Sequence, residues 1–317
     1  MRIQIVSPAP PGSQFGNRIS AERWAGILRQ LGHSVALGVD YDGAACDVLV
    51  ALHAKRSAPA VFEFLERRPG RPVIVALTGT DLYRDIHRSR KAHRALEAAT
   101  RLIALQPLAA AELAAHLRGK LRVIYQSVDK TPGRIERPDG VFQVCVVGHL
   151  RSIKDPFRTA MSARALPASS RIRILQAGAA MSDPMVLRAR AEERRNPRFQ
   201  WLGEVPRRQV RRLIAASHIL VLSSRMEGGA NVISEAVVDG TAVLATRIPG
   251  SVGLLGSDYP GYYSFGDTAA LQRLLLRAEA EPAFYEQLRS HCRKLAPLFR
   301  VSRERESWRR LLIELGG

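Results

Sequence analysis

The sequence predicts an α/β protein of two doubly wound units, each a parallel sheet with helices on both faces. Short runs that are almost wholly apolar alternate with amphipathic stretches, the signature of strands covered on both sides. A polar segment rich in charge, Pro and Gly, Asp129–Gly140 (DKTPGRIERPDG), breaks that alternation and reads as a linker. Beyond it the strand–helix pattern starts again, and 317 residues are enough for two cores of ordinary size.

The first unit is expected over residues 1–130. Its candidate strands are Arg2–Ser7, Ser34–Val39, Asp47–His53, Pro72–Thr78, Arg101–Gln106 and Leu121–Gln126. Between them, Arg18–Leu31, Ala60–Arg67, His87–Ala99 and Leu108–Leu117 carry apolar residues at helical spacing. The linker occupies 129–140 and the second unit 141–300. Here the candidate strands are Phe142–Val147, Ile172–Ala177, Phe199–Gly203, Ile219–Ser223 and Ala242–Thr246, with helices after most of them. A last helix over 301–317 sets Trp308, Leu311 and Leu312 on one face, suited to packing back on the first unit. Ligands of open α/β sheets bind at the carboxyl ends of the strands. Two such units are therefore expected to face each other across a cleft.

Composition narrows the function classes. An apolar fraction of 46% and a charged fraction of 24% belong to a folded globular chain, not a disordered one. No apolar run approaches the ~18 residues of a membrane span. The opening MRIQIVSPAP lacks the basic and long apolar regions of a signal peptide. Cys46, Cys145 and Cys292 are far apart and without metal-ligand spacing, as expected of reduced thiols in a cytoplasmic protein. The net charge is +19, and lysine supplies only six of the 48 basic residues. Arginines such as Arg188, Arg190, Arg194 and Arg195, or Arg207, Arg208, Arg211 and Arg212, read as a solvated outer surface. No RNP sequence, zinc finger or basic–heptad pair accompanies the charge, so no nucleic-acid partner is expected. Asp40–Asp42 looks like a metal-binding carboxylate pair, but it follows the second strand and reads as a turn. No metal is expected.

The strongest motif is Ser223–Glu235 (SSRMEGGANVISE), an apolar strand running through a Gly-rich loop into a helix. Gly228 and Gly229 permit close backbone approach, and the amides from Gly229 through Ala230 and Asn231 to Val232 open a helix suited to a diphosphate. Glu227 on the loop and Glu235, two turns into that helix, are placed to accept hydroxyls from two parts of one ligand, a sugar and a ribose. As plain structure, they would be a charge at a helix start and a solvated helix residue. A second loop, Gly148–Pro156 (GHLRSIKDP), sets Arg151 and Lys154 at a strand-to-helix junction. Cations are mildly disfavoured there by the helix dipole, so the pair points to an anion such as a leaving diphosphate. The loop Pro8–Ser20 contains Gly12, Gly16 and Asn17 but no GxGxxG fingerprint, which argues against a dinucleotide. Other polar clusters close strands of the first unit: His53, Lys55 and Arg56; Thr78, Gly79, Thr80, Asp81 and Arg84; Gln106; Gln126 and Ser127. Singly each is more often structural; together they suggest a site for a small anion.

These motifs resemble those of the GT-B glycosyltransferases of family 4. EGGANVISE, followed by AVLAT, is similar to the family's E-x7-E region, and GHLRSIK to its G-R-L-x-x-x-K loop. His149 stands where the family has Arg, with Arg151 two residues on, so the phosphate contact is open between them. The family's acidic residue after its last Gly-rich loop is absent from Ile248–Gly256. Within the family the closer resemblance is to the selenosugar synthases of selenoneine biosynthesis, carried by SPAPPGSQFGNRISAERWAGILRQLGH, ALHAKRS, ALTGTDLYRDI, VIYQS, GHLRSIKDPFR, LSSRMEGGANVISEAVVDG and RIPGSVGLLG. The resemblance implies a GT-B architecture, with UDP-GlcNAc or UDP-glucose and selenophosphate as substrates and no further cofactor. It implies that Gly16, His149, Arg151, Lys154, Glu227, the Gly228–Val232 loop and Glu235 bind the donor. Asn17, Arg18, His53, Lys55, Arg56 and Thr80 would hold the acceptor. Glu227, Lys154, Arg151, His53 and Asp81 would be catalytic. The alternatives are a family 4 enzyme using a lipid or saccharide alcohol, and a non-catalytic nucleotide-sugar-binding protein.

Overall fold

The computed structural model describes residues 1–316, which form two compact units. The first comprises Met1–Ser127, Glu227–Gly229 and the chain from Phe299 onward; the second comprises Val128–Met226 and Ala230–Leu298.

The first unit is built on six parallel strands: β1 (Arg2–Val6), β2 (Ser34–Gly38), β3 (Val48–Leu52), β4 (Val73–Leu77), β5 (Arg101–Ala104) and β6 (Leu121–Val123). They lie in the order β2-β1-β3-β4-β5-β6. Every residue of β3 and β4 is buried, and successive residues enter opposite cores. Val48, Val50, Leu52, Ile74 and Ala76 pack with Trp24 and Leu28 of α1 (Gly16–Gln30). Leu49, Ala51, Val73, Val75 and Leu77 pack with Val61 and Phe64 of α2 (Ala58–Arg67). That is why these strands read as unbroken apolar runs.

The helical pattern at His87–Ala99 is interrupted. One π-helical turn, Asp81–Asp85, runs into α3 (Ile86–Arg88). Ser89 then turns extended, and its hydroxyl accepts the Ala92 amide to cap α4 (Arg90–Ala98). Leu108–Leu117 is likewise not one helix. A 3-10 turn, Pro107–Glu112, starts under the Gln106 side chain, Leu113 is extended, and α5 (Ala115–Arg118) follows.

The second unit has β7 (Phe142–Val147), β8 (Ile172–Ala177), β9 (Phe199–Trp201), β10 (Ile219–Leu222), β11 (Ala242–Thr246) and β12 (Tyr262–Tyr263). The parallel order is β12-β11-β10-β7-β8-β9. The sequence gives no sign of β12, which at two residues is too short to show a period. The helices are α6 (Arg158–Ala163), α7 (Asp183–Arg195), α8 (Arg207–Ala216), α9 (Asn231–Asp239), α10 (Pro249–Leu255), α11 (Thr268–Ala280) and α12 (Pro282–Leu295).

The last helix, α13 (Val301–Ile313), completes the first unit. Its Trp308 ring meets Trp24 edge-on at 5.2 Å, and Leu311 and Leu312 join the same core. Glu304, 1% exposed, accepts the Trp24 indole N–H at 2.7 Å, the Ser127 amide at 2.7 Å and the Ser127 hydroxyl. A buried carboxyl is tolerable only with such partners.

Each sheet has a point where the strand order reverses, and ligands of open α/β sheets bind outside the carboxyl ends of the strands there. In the first unit it lies between β1 and β3; in the second, between β7 and β10.

Candidate active site

At the second unit's reversal point, the loops after β7 and β10 are tied together. The Ser223 hydroxyl donates to the carbonyls of Lys154 (3.1 Å) and Asp155 (2.9 Å), and the Arg225 amide donates to the Ile153 carbonyl at 2.9 Å. Lys154 ends a 3-10 turn, Ser152–Lys154, after which Asp155 adopts φ +43° and receives Arg158 Nε at 2.7 Å. Lys154, Gly148, Gln176, Ser223 and Ser224 line a cleft at this place. Arg151 is exposed beside it in sequence.

The loop after β7 is also joined to the loop after β8. Gly178 has φ +148°, and a Cβ on it would lie 2.1 Å from the Gly148 carbonyl oxygen, so only glycine fits there. The Ala179 amide donates to Nδ1 of His149 at 3.2 Å. Burial pushes the His149 pKa below its usual value, the Arg151 and Lys154 charges lower it further, and Glu204 partly opposes them. His149 is thus a neutral imidazole at pH 7 with its proton on Nε2. It is not a substitute for the arginine charge expected at that position.

Helix α9 begins only at Asn231, so Glu235 is one turn into it, not two, because the preceding Gly-rich segment is not helical. Glu235 is 1% exposed rather than solvated. Its Oε1 receives Arg207 Nη2 at 2.6 Å, while Oε2 is buried and accepts no hydrogen bond from the protein. The next turn repeats the pairing: Arg211 Nη2 meets Asp239 at 2.8 Å. Arg207 and Arg211 are therefore held by buried carboxylates and are not the solvated outer surface that their arginine-rich segment suggests. The signal was available in two matched spacings of four, Arg207/Arg211 on α8 and Glu235/Asp239 on α9.

Glu227, Gly228 and Gly229 lie within the first unit. A Cβ on Gly228 would come within 2.5 Å of the Thr78 carbonyl atoms, and one on Gly229 within 2.5 Å of Leu105 Cβ. Packing against Thr78 and Leu105 by itself requires glycine at both positions.

At the first unit's reversal point, His53 follows β3 with φ +74°, a rare conformation for a side-chain-bearing residue. Its Nδ1 accepts the Arg56 amide at 3.3 Å, which leaves the proton on Nε2, 3.4 Å from Thr80 Oγ1 and 3.7 Å from Asp85 Oδ2. Asp85, nearly buried, also faces Lys55 Nζ at 3.8 Å and Arg84 Nε at 3.1 Å. His53, Lys55 and Arg84 thus gather around Asp85, a carboxyl that no motif in the sequence marks, while Thr80 meets the His53 ring. Asp81 is a loop anchor: it is fully buried and accepts the amides of Ala54 (3.0 Å), Thr78 (3.0 Å) and Gly79 (2.8 Å). Arg56 is exposed. Gly16, Asn17 and Arg18 start α1 on the β1 side, with Arg18 Nε bound to Glu22 at 2.6 Å.

Among the described residues no group of three or more His, Cys, Asp or Glu is arranged to hold a metal ion. No helix among them is long and apolar enough to cross a membrane. All three cysteines are buried and unpaired. Asp42 accepts the Ala44 amide at 2.9 Å, which makes Asp40–Asp42 part of a turn.

The model of the family described as glycosyl transferases group 1 matches residues 127–295. The chain belongs to this family. Among solved structures, this glycosyl transferase is similar to Anabaena Alr3699/HepE in complex with UDP-glucose, at 16% identity and a TM-score of 0.79 over 99% of this chain and 100% of that one. It is also similar to sucrose-phosphate synthase from Thermosynechococcus elongatus, at 15% identity and a TM-score of 0.75 over 99% and 98%. The trehalose-phosphate synthase of Burkholderia xenovorans, solved with glucose-6-phosphate, gives 12% identity and a TM-score of 0.67 over 85% and 73%. The fold of two Rossmann-like parallel sheets is that of the GT-B glycosyltransferases.

Proposed function

We propose that this glycosyl transferase moves GlcNAc or glucose from a UDP-sugar to selenophosphate, forming a carbon–selenium bond in selenoneine biosynthesis. The observation that carries the donor half is Glu235: a buried carboxyl with one oxygen held by Arg207 and the other without a protein partner. It stands one turn into a helix at the reversal point of the family-matched unit. In this reading Oε2 accepts ribose hydroxyls, Lys154 and Arg151 neutralise the departing diphosphate, and the first amides of α9 add hydrogen bonds to it. Glu227 takes the donor sugar. The complexes of Anabaena Alr3699/HepE with UDP and UDP-glucose support a UDP-sugar as the donor.

The acceptor half rests on the family-like strings and on the cations around the first unit's reversal point. Lys55, Arg56 and Arg84, with the Nε2–H of His53 as a neutral donor, suit a small anion better than a lipid alcohol. Selenophosphate brings its own soft nucleophile, so no strong general base is required. A selenium lone pair forms the bond to the anomeric carbon as the bond to the β-phosphate oxygen breaks, its electron pair leaving with UDP. Water then attacks phosphorus, cleaving selenium from phosphate and leaving the selenosugar. The test is UDP release from UDP-GlcNAc and UDP-glucose with selenophosphate, thiophosphate, phosphate, alcohols or no acceptor, followed by mass spectrometry. Selenophosphate-dependent UDP release with a selenium-bearing sugar is expected. Turnover with alcohols alone would sink the acceptor assignment and leave the donor assignment standing.

A further inference from the structure

The cleft at the second unit's reversal point has a floor that the donor assignments above leave unused. Gln176 lies on β8, in register with Val146 on β7 and Trp201 on β9. It is 1% exposed, and neither Oε1 nor Nε2 of its carboxamide meets a partner within the protein. Its backbone is satisfied, since its carbonyl accepts the Leu202 amide at 2.8 Å. The position is therefore a normal strand position carrying an abnormal side chain. An apolar residue there would match Ile172 and Ile174, which share its face and are buried. A buried carboxamide with both polar atoms unbonded opposes folding, so its presence points to a partner that arrives from outside.

Gln176 lines the same cleft as Lys154, Gly148, Ser223 and Ser224. Two acceptors nearby are already engaged: the Lys154 and Asp155 carbonyls receive the Ser223 hydroxyl. What Gln176 offers a ligand there is a carboxamide N–H that no protein group takes up. We propose that Gln176 is a binding residue for the diphosphate of the donor, its Nε2 donating from below to a phosphoryl oxygen that Lys154 meets from the side. A primary amide suits this place because it adds a donor without adding charge. A carboxylate there would repel the phosphate, and a second ammonium would repel Lys154.

This inference rests on the UDP-sugar reading, and the experiment separates the two. Wild type, Gln176→Met and Gln176→Glu are titrated calorimetrically with UDP and with uridine, and their thermal midpoints are recorded. Wild type is expected to bind UDP. Gln176→Met should bind UDP about tenfold more weakly, the scale of one hydrogen bond to a charged group, with uridine affinity unchanged and a thermal midpoint no lower than wild type. Gln176→Glu should lose more UDP affinity than Gln176→Met. Equal UDP affinity in wild type and Gln176→Met would overturn the proposal and leave a resident water as the partner of the amide. An equal loss for UDP and uridine would also overturn it, since that marks a general distortion. Failure of the wild type itself to bind UDP would overturn the donor reading, and this inference with it.

Discussion

Lys154 and Glu235 show how a single side chain acquires a role from what surrounds it. Lys154 sits on a turn whose backbone is locked by Ser223, so the root of its side chain is fixed before any ligand binds. Replacing it with Ala should lower turnover at least about a hundredfold, the loss typical of a principal donor to a developing anion. Near wild-type UDP release by that variant would remove Lys154 from the role. Glu235 depends instead on Arg207, whose guanidinium holds one carboxyl oxygen and leaves the other without a protein partner. Arg207→Met should weaken UDP binding about tenfold while leaving kcat nearly intact, and Arg207→Lys should recover part of the loss. A fall in kcat with UDP affinity unchanged would contradict that positioning role. Of these residues, the motif carriers Lys154 and Glu235 were legible in the sequence, because Gly-rich loops between strand and helix announce themselves. Arg207, Asp85 and Gln176 were not. Each takes its meaning from a neighbour on another element, and a lone glutamine in an apolar strand reads as noise until its burial is known.

The elements themselves were mostly legible where they are long and buried. β7, β8 and β11 fall where the apolar runs place them, because parallel strands covered on both faces are predominantly apolar, with Gln143, Arg173 and Gln176 the polar interruptions. Legibility failed at His87–Ala99 and Leu108–Leu117. There a π turn, an extended Ser89 and a 3-10 turn compete with a helix on nearly equal local terms, and side-chain caps from Ser89 and Gln106 decide the outcome. The energetic consequence is sharpest for α13, which inserts Trp308 against Trp24. Trp308→Ala should destabilise the protein by about 3–5 kcal/mol in urea denaturation, the usual range for emptying a buried indole site. A loss under about 1 kcal/mol would show that α13 is dispensable to that core.

At the scale of the whole molecule, charge and pH set the conditions of stability. His218 stacks on Phe142 at 4.7 Å and accepts the Gln143 amide. Burial, helped by Arg137 and Arg171, lowers its pKa to about 4. The folded state therefore refuses a proton that the unfolded chain accepts below about 6.5, so stability is intact above that pH and is lost as pH falls towards 4. His218→Gln keeps an acceptor for the amide without titrating. Its denaturation midpoint should fall less between pH 7 and pH 5 than that of the wild type, and parallel slopes would rule His218 out as the sensor. The two-unit plan also carries a consequence for biogenesis. The strands of the first sheet are all made by residue 123, but the carboxyl that receives the Trp24 indole and Ser127 belongs to Glu304. A ribosome must therefore synthesise the entire second unit before the first can close, reversing the usual order in which the leading domain folds first. During that interval the α1 face of the first sheet is exposed to chaperones and proteases, and a nascent chain stalled before residue 304 should be degraded faster than one stalled after residue 313.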